Sequence, residues 1–191
     1  MPKLAVLVSG AGSILNAILK YPLKVDVVIA DRECPALLIA REAGIPTHVC
    51  ARTFGTEFDD GSQRVHFTLS ILEILHDWGK KDVVAMAGFG TILEDVFFKT
   101  DPQPILLNTH PSLLPAFKGH RAVQQALKAG VKKTGCTVHV AELELDSGII
   151  LAQQEVLVEK GDTEETLHER IKKMERVLYP KTIAAVLAKL S

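Results

Sequence analysis

The sequence predicts an α/β protein with a doubly wound, mostly parallel sheet and helices on both faces. Short continuous apolar runs of strand length alternate with amphipathic stretches of helical length, and glycine or proline marks many of the junctions. Strands buried on both faces are expected to be continuously apolar. A regular strand–helix alternation favours parallel pairing. Because no linker, repeat or low-complexity stretch interrupts the pattern, we expect a single domain over residues 1–191.

The first half of the chain alternates clearly between the two patterns. Its predicted elements are a strand at 3–9, a helix at 13–21, a strand at 24–31, a helix at 35–44, a weaker strand at 46–50 and a helix at 61–79. The helix at 35–44 begins with proline and ends with glycine, the usual asymmetry of helix ends. On the helix at 61–79 we predict a buried stripe of Val65, Leu69, Leu72 and Leu75.

The second half adds further strands and a long terminal helix. Its predicted elements are strands at 82–88 and 104–109 with a short helix around 92–98 between them, a helix at 121–130, strands at 134–143 and 148–158, and a helix at 161–190. The strand at 148–158 is expected at the sheet edge. Asp162 and Glu165 stand in capping-box register at the start of the last helix.

Composition narrows the class of protein. With 47% hydrophobic and 24% charged residues the chain is typical of a globular protein, and its net charge of −1 gives no reason to expect nucleic acid or an anionic membrane as partner. The three cysteines are far apart and outside any metal-binding spacing. A reducing cytoplasm and no metal site are therefore expected. No apolar run approaches the length of a membrane span.

Ligands of such sheets bind outside the carboxyl ends of the strands. That rule selects four segments: 9–13, 88–93, 108–115 and 143–148. Glycine and polar residues are concentrated in the same segments. We therefore expect the functional site to be built from them.

The segment SGAGS, residues 9–13, joins the first strand to the first helix. Its glycines allow a tight turn, and the helix amino end offers free N–H groups to an anion. The dinucleotide fingerprint needs a third glycine where this chain has Leu15. The segment is thus either a phosphate-monoester site or a plain glycine-rich turn.

Asn108 and His110 are two residues apart in an extended segment, so their side chains can point to the same side. An amide and a protonated imidazole together could hold a developing oxyanion, as acyl transfer requires. Prolines 111 and 115 stiffen the chain that follows. The alternative is that the two polar residues only secure this proline-rich loop.

Two carboxylates complete the candidates. Asp146 lies in a turn, and beside His110 it would favour the imidazolium and pass protons through water, although turn aspartates are common. Glu175 is expected at the edge of the buried stripe of the last helix, where it needs a partner in a ligand or a structural ion pair. His139 is interpreted as a packing residue.

In order along the chain, these pieces resemble the folate-dependent formyltransferases. The matching segments are VLVSGAGS (6–13), DVVAMAGFGTIL (82–93), LLNTHPSLLPAFKG (106–119), GCTVHVAELELDSGIILAQ (135–153) and DTEETLHERIKKMERVLYP (162–180). The resemblance covers essentially the whole chain. The N-x-H-P-S-L-L-P motif at Asn108 with D-x-G at Asp146 is highly specific, and it implies the family's Rossmann-like fold.

The resemblance also implies a reaction. The glycine amine of N1-(5-phosphoribosyl)glycinamide would attack the formyl carbon of 10-formyltetrahydrofolate, a step of de novo purine (IMP) biosynthesis. Asn108 and His110 would stabilise the oxyanion, with His110 donating a proton. Asp146 would keep His110 charged and help a water carry the proton of the amine. The implied partners are small-molecule substrates, and neither a metal nor a covalent intermediate is implied.

The binding residues follow from the same resemblance. The substrate side would comprise a phosphate loop at Ala11, Gly12 and Ser13, with Glu175 near the amine and ribose. The folate side would comprise Arg64, Gly90, Thr91, Ile92, Leu93 and Asn108, with the loop at 143–148.

The chain departs from the family pattern at a few positions. Ile14 stands where the family commonly has Asn, which removes one contact near the phosphate. Gly90 and Thr91 replace a bulky apolar residue and a cation, which predicts lower folate affinity or a more mobile loop. His120 directly follows Gly119, whereas the family often places its histidine one residue later.

Other readings of the same chemistry lead to different functions. Methionyl-tRNA formyltransferase shares the catalytic segment but adds a basic carboxyl-terminal domain, and formyltetrahydrofolate hydrolase adds an amino-terminal regulatory domain. Neither addition is expected here. A non-catalytic phosphosugar- or dinucleotide-binding protein would require the Asn108, His110 and Asp146 constellation to be coincidental. Both a monomer and a homodimer fit the sequence.

Overall fold

A computed structural model of the chain describes residues 3–52, 62–79 and 81–190. Its elements in chain order are β1 (Leu4–Val8), α1 (Ser13–Lys20), β2 (Val27–Ala30), α2 (Pro35–Glu42), β3 (Thr47–Val49), α3 (Ser62–Asp77), β4 (Val83–Met86), α4 (Asp95–Phe98), β5 (Ile105–His110), α5 (Ala122–Lys128), β6 (Lys133–Val140), β7 (Ile150–Leu157) and α6 (Glu164–Lys189). Within the described ranges, no helix has the length and apolar character that crossing a bilayer requires.

The strands form one sheet of seven in the order β3-β2-β1-β4-β5-β6-β7. The pairs from β3 to β5 are parallel, whereas β6 pairs antiparallel with β5 and β7 pairs antiparallel with β6. The predicted mostly parallel sheet is confirmed, as is the edge position of β7. The carboxyl ends of β1, β4 and β5 are therefore neighbours.

Helices cover both faces of the sheet, as predicted. Leu4, Val6 and Val8 of β1 pack into a core with residues of α1, α2 and α6. Ala5 and Leu7 of the same strand pack into a second core with residues of α3 and α4. This alternation along one fully buried strand is the period of two that a strand between two helical layers requires.

The predicted stripe on α3 is largely wrong. The buried residues of this helix are Phe67, Thr68, Ile71 and Leu75. Leu69 is 39% exposed, and Val65 and Leu72 are only half-buried. Two apolar stripes meet at Leu75, and the helix buries the one that carries the bulky Phe67 and Ile71.

The predicted cap of α6 is wrong by one residue. The N-cap is Thr163, whose hydroxyl accepts the N–H of Thr166 at 3.3 Å, while the Thr166 hydroxyl accepts the N–H of Thr163 at 2.9 Å. Asp162 is used elsewhere. Its carboxylate accepts the N–H of Glu159 at 2.7 Å and pairs with Arg170.

Thr163→Ala is expected to lower the free energy of unfolding by about 1 kcal/mol, because it leaves helix N–H groups without their side-chain acceptor. Urea unfolding followed by circular dichroism measures the change. Thr163→Ser keeps the hydroxyl and should unfold at nearly the wild-type midpoint. Equal losses in the two variants would show that the cap does not stabilise α6 through this oxygen.

Candidate functional site

Two adjoining cavities open where the strands end. The first, here called the glycine-loop cavity, has a volume of about 390 Å³. It is lined by Gly10, Ala11, Gly12, Ser13, Ile14, Ala87, Gly88, Phe89, Asn108, Thr109, Pro111, His168, Lys172 and Glu175. The lining joins the loop after β1, the loop after β4, the end of β5 and one face of α6.

The second, here called the apolar cavity, has a volume of about 360 Å³. It is lined by Met86, Phe89, Gly90, Thr91, Ile92, Leu93, Phe98, Leu106, Asn108, His120, His139, Ala141, Glu142, Leu143, Leu145 and Asp146. Phe89 and Asn108 belong to both linings. The two cavities therefore meet at the amide of Asn108.

Gly12 lines the glycine-loop cavity and forms the tight turn before α1. This residue caps α1 in the left-handed conformation, with φ of 78°. A Cβ at this position would lie 2.8 Å from Cα of Ala36, so only glycine fits. The tight turn presents the amino end of α1 and the Ser13 side chain to the cavity, an arrangement suited to an anion.

Glu175 is buried in the centre of the α6 stripe, so its predicted place at the stripe's edge is wrong. Only 4% of its surface is exposed, and Leu167, Ile171 and Tyr179 continue the same buried stripe. Its Oε1 accepts the hydroxyl of Thr109 at 3.1 Å. Burial raises the pKa of Glu175, which the Thr109 hydrogen bond and the nearby Lys172 and Arg176 charges only partly offset.

The glycine-loop cavity contains two basic side chains that were not predicted. Lys172 and His168 line it from α6 together with Glu175. Burial lowers the pKa of His168, and the Lys172 charge lowers it further, so Lys172 is the main cation of this wall. The signal was present in the sequence, because Lys172 stands three residues before Glu175 and thus on the same helix face.

Glu175→Gln is expected to stabilise the free protein at neutral pH. A carboxyl group whose pKa is raised in the folded state costs stability once pH exceeds its unfolded value, and the amide removes that cost. The difference between the two urea midpoints should grow as pH rises above the ordinary pKa of 4.5 and should shrink as pH falls toward it. Glu42→Gln, at the exposed end of α2, serves as the control. Midpoints that coincide at every pH would contradict a raised pKa of Glu175 in the folded protein.

Strand β5 divides its polar residues between the two sides of the sheet. Leu106 and Asn108 line the apolar cavity, whereas Thr109 lies toward α6 and Glu175. Asn108 is paired across the antiparallel ladder with His139, so these two side chains share a face. The prediction that the side chains of Asn108 and His110 point to the same side of the strand fits the register between β5 and β6.

His110 and Asp146 meet as predicted. Nδ1 of His110 lies 3.2 Å from Oδ2 of Asp146, and both side chains are almost fully buried. Nε2 of His110 lies 2.8 Å from the carbonyl oxygen of Phe117. Because both ring nitrogens face acceptors, only the doubly protonated imidazolium can satisfy both contacts. Neither cavity lining includes His110, so its N–H groups reach a ligand only by leaving one of these partners.

Asp146 has further partners on the other side. Its Oδ2 accepts the N–H of Gly119 at 2.8 Å, and its Oδ1 lies 3.5 Å from Nε2 of His139, which is long for a hydrogen bond. Burial alone would raise the pKa of Asp146. The His139 contact, the Gly119 hydrogen bond and the positive charge of His110 outweigh it and hold that pKa below its ordinary value. Asp146 is thus an ionised carboxylate beside a charged ring. His139, expected only to pack, lines the apolar cavity instead.

This geometry agrees with the comparisons to known proteins. A model of the formyl transferase family matches residues 2–183. The chain belongs to this family. The sequence resemblance and the predicted enzyme class are confirmed.

Relatives in the formyl transferase family are similar over nearly the whole chain. The phosphoribosylglycinamide formyltransferase of Mycobacterium tuberculosis is 44% identical over 191 residues, which cover 96% of this chain and 84% of that protein. The phosphoribosylglycinamide formyltransferase of Bacillus subtilis is 34% identical over 98% of this chain and 95% of its own length. The structure of glycinamide ribonucleotide transformylase 1 from Symbiobacterium toebii superposes with a TM-score of 0.84 at 37% identity, covering 96% of this chain and 86% of that one.

The residues at which this chain departs from the formyl transferase pattern line one or the other of the two cavities. Ile14 lines the glycine-loop cavity and supplies an apolar wall there. His120 lines the apolar cavity and not the glycine-loop cavity, which places it away from the predicted phosphate loop. Gly90 and Thr91 line the apolar cavity, together with Ile92 and Leu93. Their contact with a folate stays a prediction.

Arg64 lies in the first turn of α3 and is not among the residues that line either cavity. Its carbonyl oxygen accepts the hydroxyl of Thr68 at 2.9 Å, and that hydroxyl oxygen accepts the N–H of Glu94 at 3.1 Å. Two hydrogen bonds through the Thr68 hydroxyl thus join the backbone of Arg64 to that of Glu94, the residue after Leu93. Contact between Arg64 and a folate stays a prediction.

Proposed function

We propose that the chain transfers the formyl group of 10-formyltetrahydrofolate to the amine of N1-(5-phosphoribosyl)glycinamide. One observation carries the proposal: Asn108 stands where a polar, cationic cavity meets an apolar one, with the His110–Asp146 pair beside it. Two different substrates in these cavities would meet at an amide suited to a developing oxyanion.

The two linings match the two substrates. The amino end of α1, Ser13 and Lys172 provide hydrogen-bond donors and positive charge for a phosphate. Phe89, Ile92, Leu93 and the loop at 143–148 provide an apolar surface for a flat pterin ring. These features support a phosphosugar substrate in the glycine-loop cavity and the folate in the apolar cavity.

The chemistry follows from the groups at the junction. The neutral amine attacks the formyl carbon, a C–N bond forms, and the carbonyl oxygen becomes an oxyanion that the Asn108 amide N–H stabilises. The amine nitrogen loses its proton through water to Asp146. Asp146 returns that proton through water to N10 as the N10–C bond breaks, and the carbonyl re-forms on the product. His110 keeps Asp146 ionised and supplies charge nearby. It donates directly only if its ring releases Phe117.

Glu175 would bind the substrate amine. Its carboxylate lies in the wall of the glycine-loop cavity and has one hydrogen bond, from Thr109. An N–H of the incoming neutral amine would donate to this carboxylate, which favours the ionised form against the burial that raises its pKa. Glu175 would thereby hold the nucleophile on the side of Asn108 opposite the folate.

The decisive experiment supplies both substrates and follows the formyl group. We expect the formyl donor to be lost in equal amount to the formylated glycinamide ribonucleotide, measured by mass spectrometry with an isotopically labelled formyl group. Omission of the amine should stop the reaction. Formate release that does not depend on the amine would assign a hydrolase instead, and binding of folate without turnover would refute catalysis.

We also propose a cytoplasmic location. Cys34, Cys50 and Cys136 are all unpaired in the structure, as a protein of a reducing compartment requires. Thermal unfolding that is the same with and without a thiol reductant would agree with this.

A further inference from the structure

The loop after β4, residues 88–93, is joined to two neighbouring strand ends by hydrogen bonds. The N–H of Gly90 donates to the hydroxyl oxygen of Ser9 at 2.8 Å, and the hydroxyl of Thr91 donates to Oδ2 of Asp31 at 2.7 Å. Ser9 directly follows β1 and Asp31 directly follows β2, which are adjacent in the sheet. The loop is therefore fixed at two consecutive residues.

Asp31 is a rigid partner for this contact. Its side chain is fully buried, and Arg32 binds both carboxylate oxygens, with Nε to Oδ1 at 2.9 Å and Nη2 to Oδ2 at 2.9 Å. Nε of Arg52 lies 3.6 Å from Oδ2. Burial alone would raise the pKa of Asp31, but the hydrogen bonds from Arg32, Thr91 and Ser9 hold it below its ordinary value. A two-pronged contact of this kind fixes the orientation of the carboxylate.

The position of Thr91 determines one wall of the apolar cavity. Thr91 is only 5% exposed, whereas its neighbour Ile92 is 46% exposed and lines that cavity with Leu93. Moving the Thr91 hydroxyl away would leave a buried carboxylate oxygen without one of its donors, which is costly. The hydroxyl thus restricts where the backbone of residues 90–93 can lie.

We propose that Thr91 is a positioning residue for the formyl donor, holding loop 88–93 against Asp31 so that Gly90, Ile92 and Leu93 keep the shape that receives the folate. The inference rests on the function proposed above, since it names the ligand of the apolar cavity. The contact acts mainly on the folate side, because Thr91 and the three residues around it, Gly90, Ile92 and Leu93, line the apolar cavity and not the glycine-loop cavity. The resemblance to the family predicted lower affinity or greater mobility at this position, and the two hydrogen bonds favour an ordered loop.

The test compares Thr91→Val with Thr91→Ser. Valine keeps the shape and removes the donor, so the KM for 10-formyltetrahydrofolate should rise about tenfold, the effect of one lost hydrogen bond to a charged group. The KM for glycinamide ribonucleotide and kcat should stay within about twofold. Thr91→Ser keeps the hydroxyl and should restore the wild-type KM. Asp31→Asn removes the acceptor charge and should raise the same KM.

The matched control is Thr182→Val. Thr182 is also buried, at 8% exposed, and its hydroxyl donates to the Leu178 carbonyl within α6 at 2.8 Å. It should leave every kinetic constant unchanged. A Thr91→Val enzyme with the wild-type folate KM, or a control with the same rise, would overturn the proposal.

Hydrogen exchange of the free protein separates this inference from the proposed function. The amides of residues 88–94 should exchange about tenfold faster in Thr91→Val than in the wild type, and at the wild-type rate in Thr91→Ser. Equal exchange in all three proteins would overturn the positioning role. Equilibrium dialysis that detects no binding of 10-formyltetrahydrofolate to the wild type would instead overturn the function.

Discussion

Asp146→Asn is expected to lower kcat by a factor of roughly 10²–10⁴, the range for loss of a positioned proton-transfer group. The substitution removes the negative charge that faces His110 at 3.2 Å, and it removes the acceptor of the amine's proton. The KM values should change less than kcat, because neither predicted binding surface depends on this charge alone. Steady-state kinetics of formyl transfer at saturating substrates measures the effect.

The pH dependence of the wild type gives a second reading of Asp146. Since the pKa of Asp146 lies below the ordinary value, its carboxylate is ionised throughout the neutral range. The enzyme should therefore lose activity only as pH falls through that lowered pKa.

The control for Asp146→Asn is Asp77→Asn, an exposed substitution at the end of α3, which should have the wild-type kcat. An Asp146→Asn enzyme within a factor of a few of the wild type would exclude proton transfer by this residue.

Asn108→Ala is expected to lower kcat by roughly 10²–10³, the cost of removing one donor to a developing oxyanion. Asn108 lines both cavities, so alanine leaves the junction without its amide while each lining otherwise remains. Because the donor acts on charge that appears only in the transition state, kcat and kcat/KM should fall by similar factors. Single-turnover measurements of formyl transfer test this directly.

The control for this variant is Gln154→Ala, which removes an exposed amide from β7. It should leave the rate unchanged. A large rise in KM with kcat preserved in Asn108→Ala would mean that the amide binds substrate in the ground state and does not stabilise the oxyanion. The kcat of a His110→Ala variant, measured in the same way, would then show whether the imidazolium performs that task.

Much of the fold follows from local patterns. The strands β1, β2, β4 and β5 were predictable because each is a continuous apolar run, which is typical of a strand between two helical layers. Most predicted strands and helices extend one to three residues beyond the observed ends at one or both termini, because the pattern of apolar residues does not mark where the regular hydrogen bonds of an element stop. The stripe on α3 was wrong because periodicity alone offered two faces, and packing against the sheet chose between them.

The site was predictable where its residues lie at strand ends and match a family motif. Asn108, His110 and Asp146 were predicted as a site in this way, and the structure brings His110 and Asp146 together. Contacts between distant segments that match no motif cannot be predicted from the local sequence pattern. Thr91 and Asp31 are 60 positions apart in the chain, and only the neighbouring positions of β1, β2 and β4 bring them into contact.

The His110–Asp146 pair also fixes the backbone of residues 117–119, here called the rim of the site. His110 holds the carbonyl of Phe117, and Asp146 holds the N–H of Gly119, so one short segment is secured from both sides by the two groups that carry charge. Acid strong enough to neutralise the carboxylate would release that segment at the same moment as it stops the chemistry. Inactivation and release of this segment should therefore share a single titration, below the pH at which an ordinary aspartate takes up its proton.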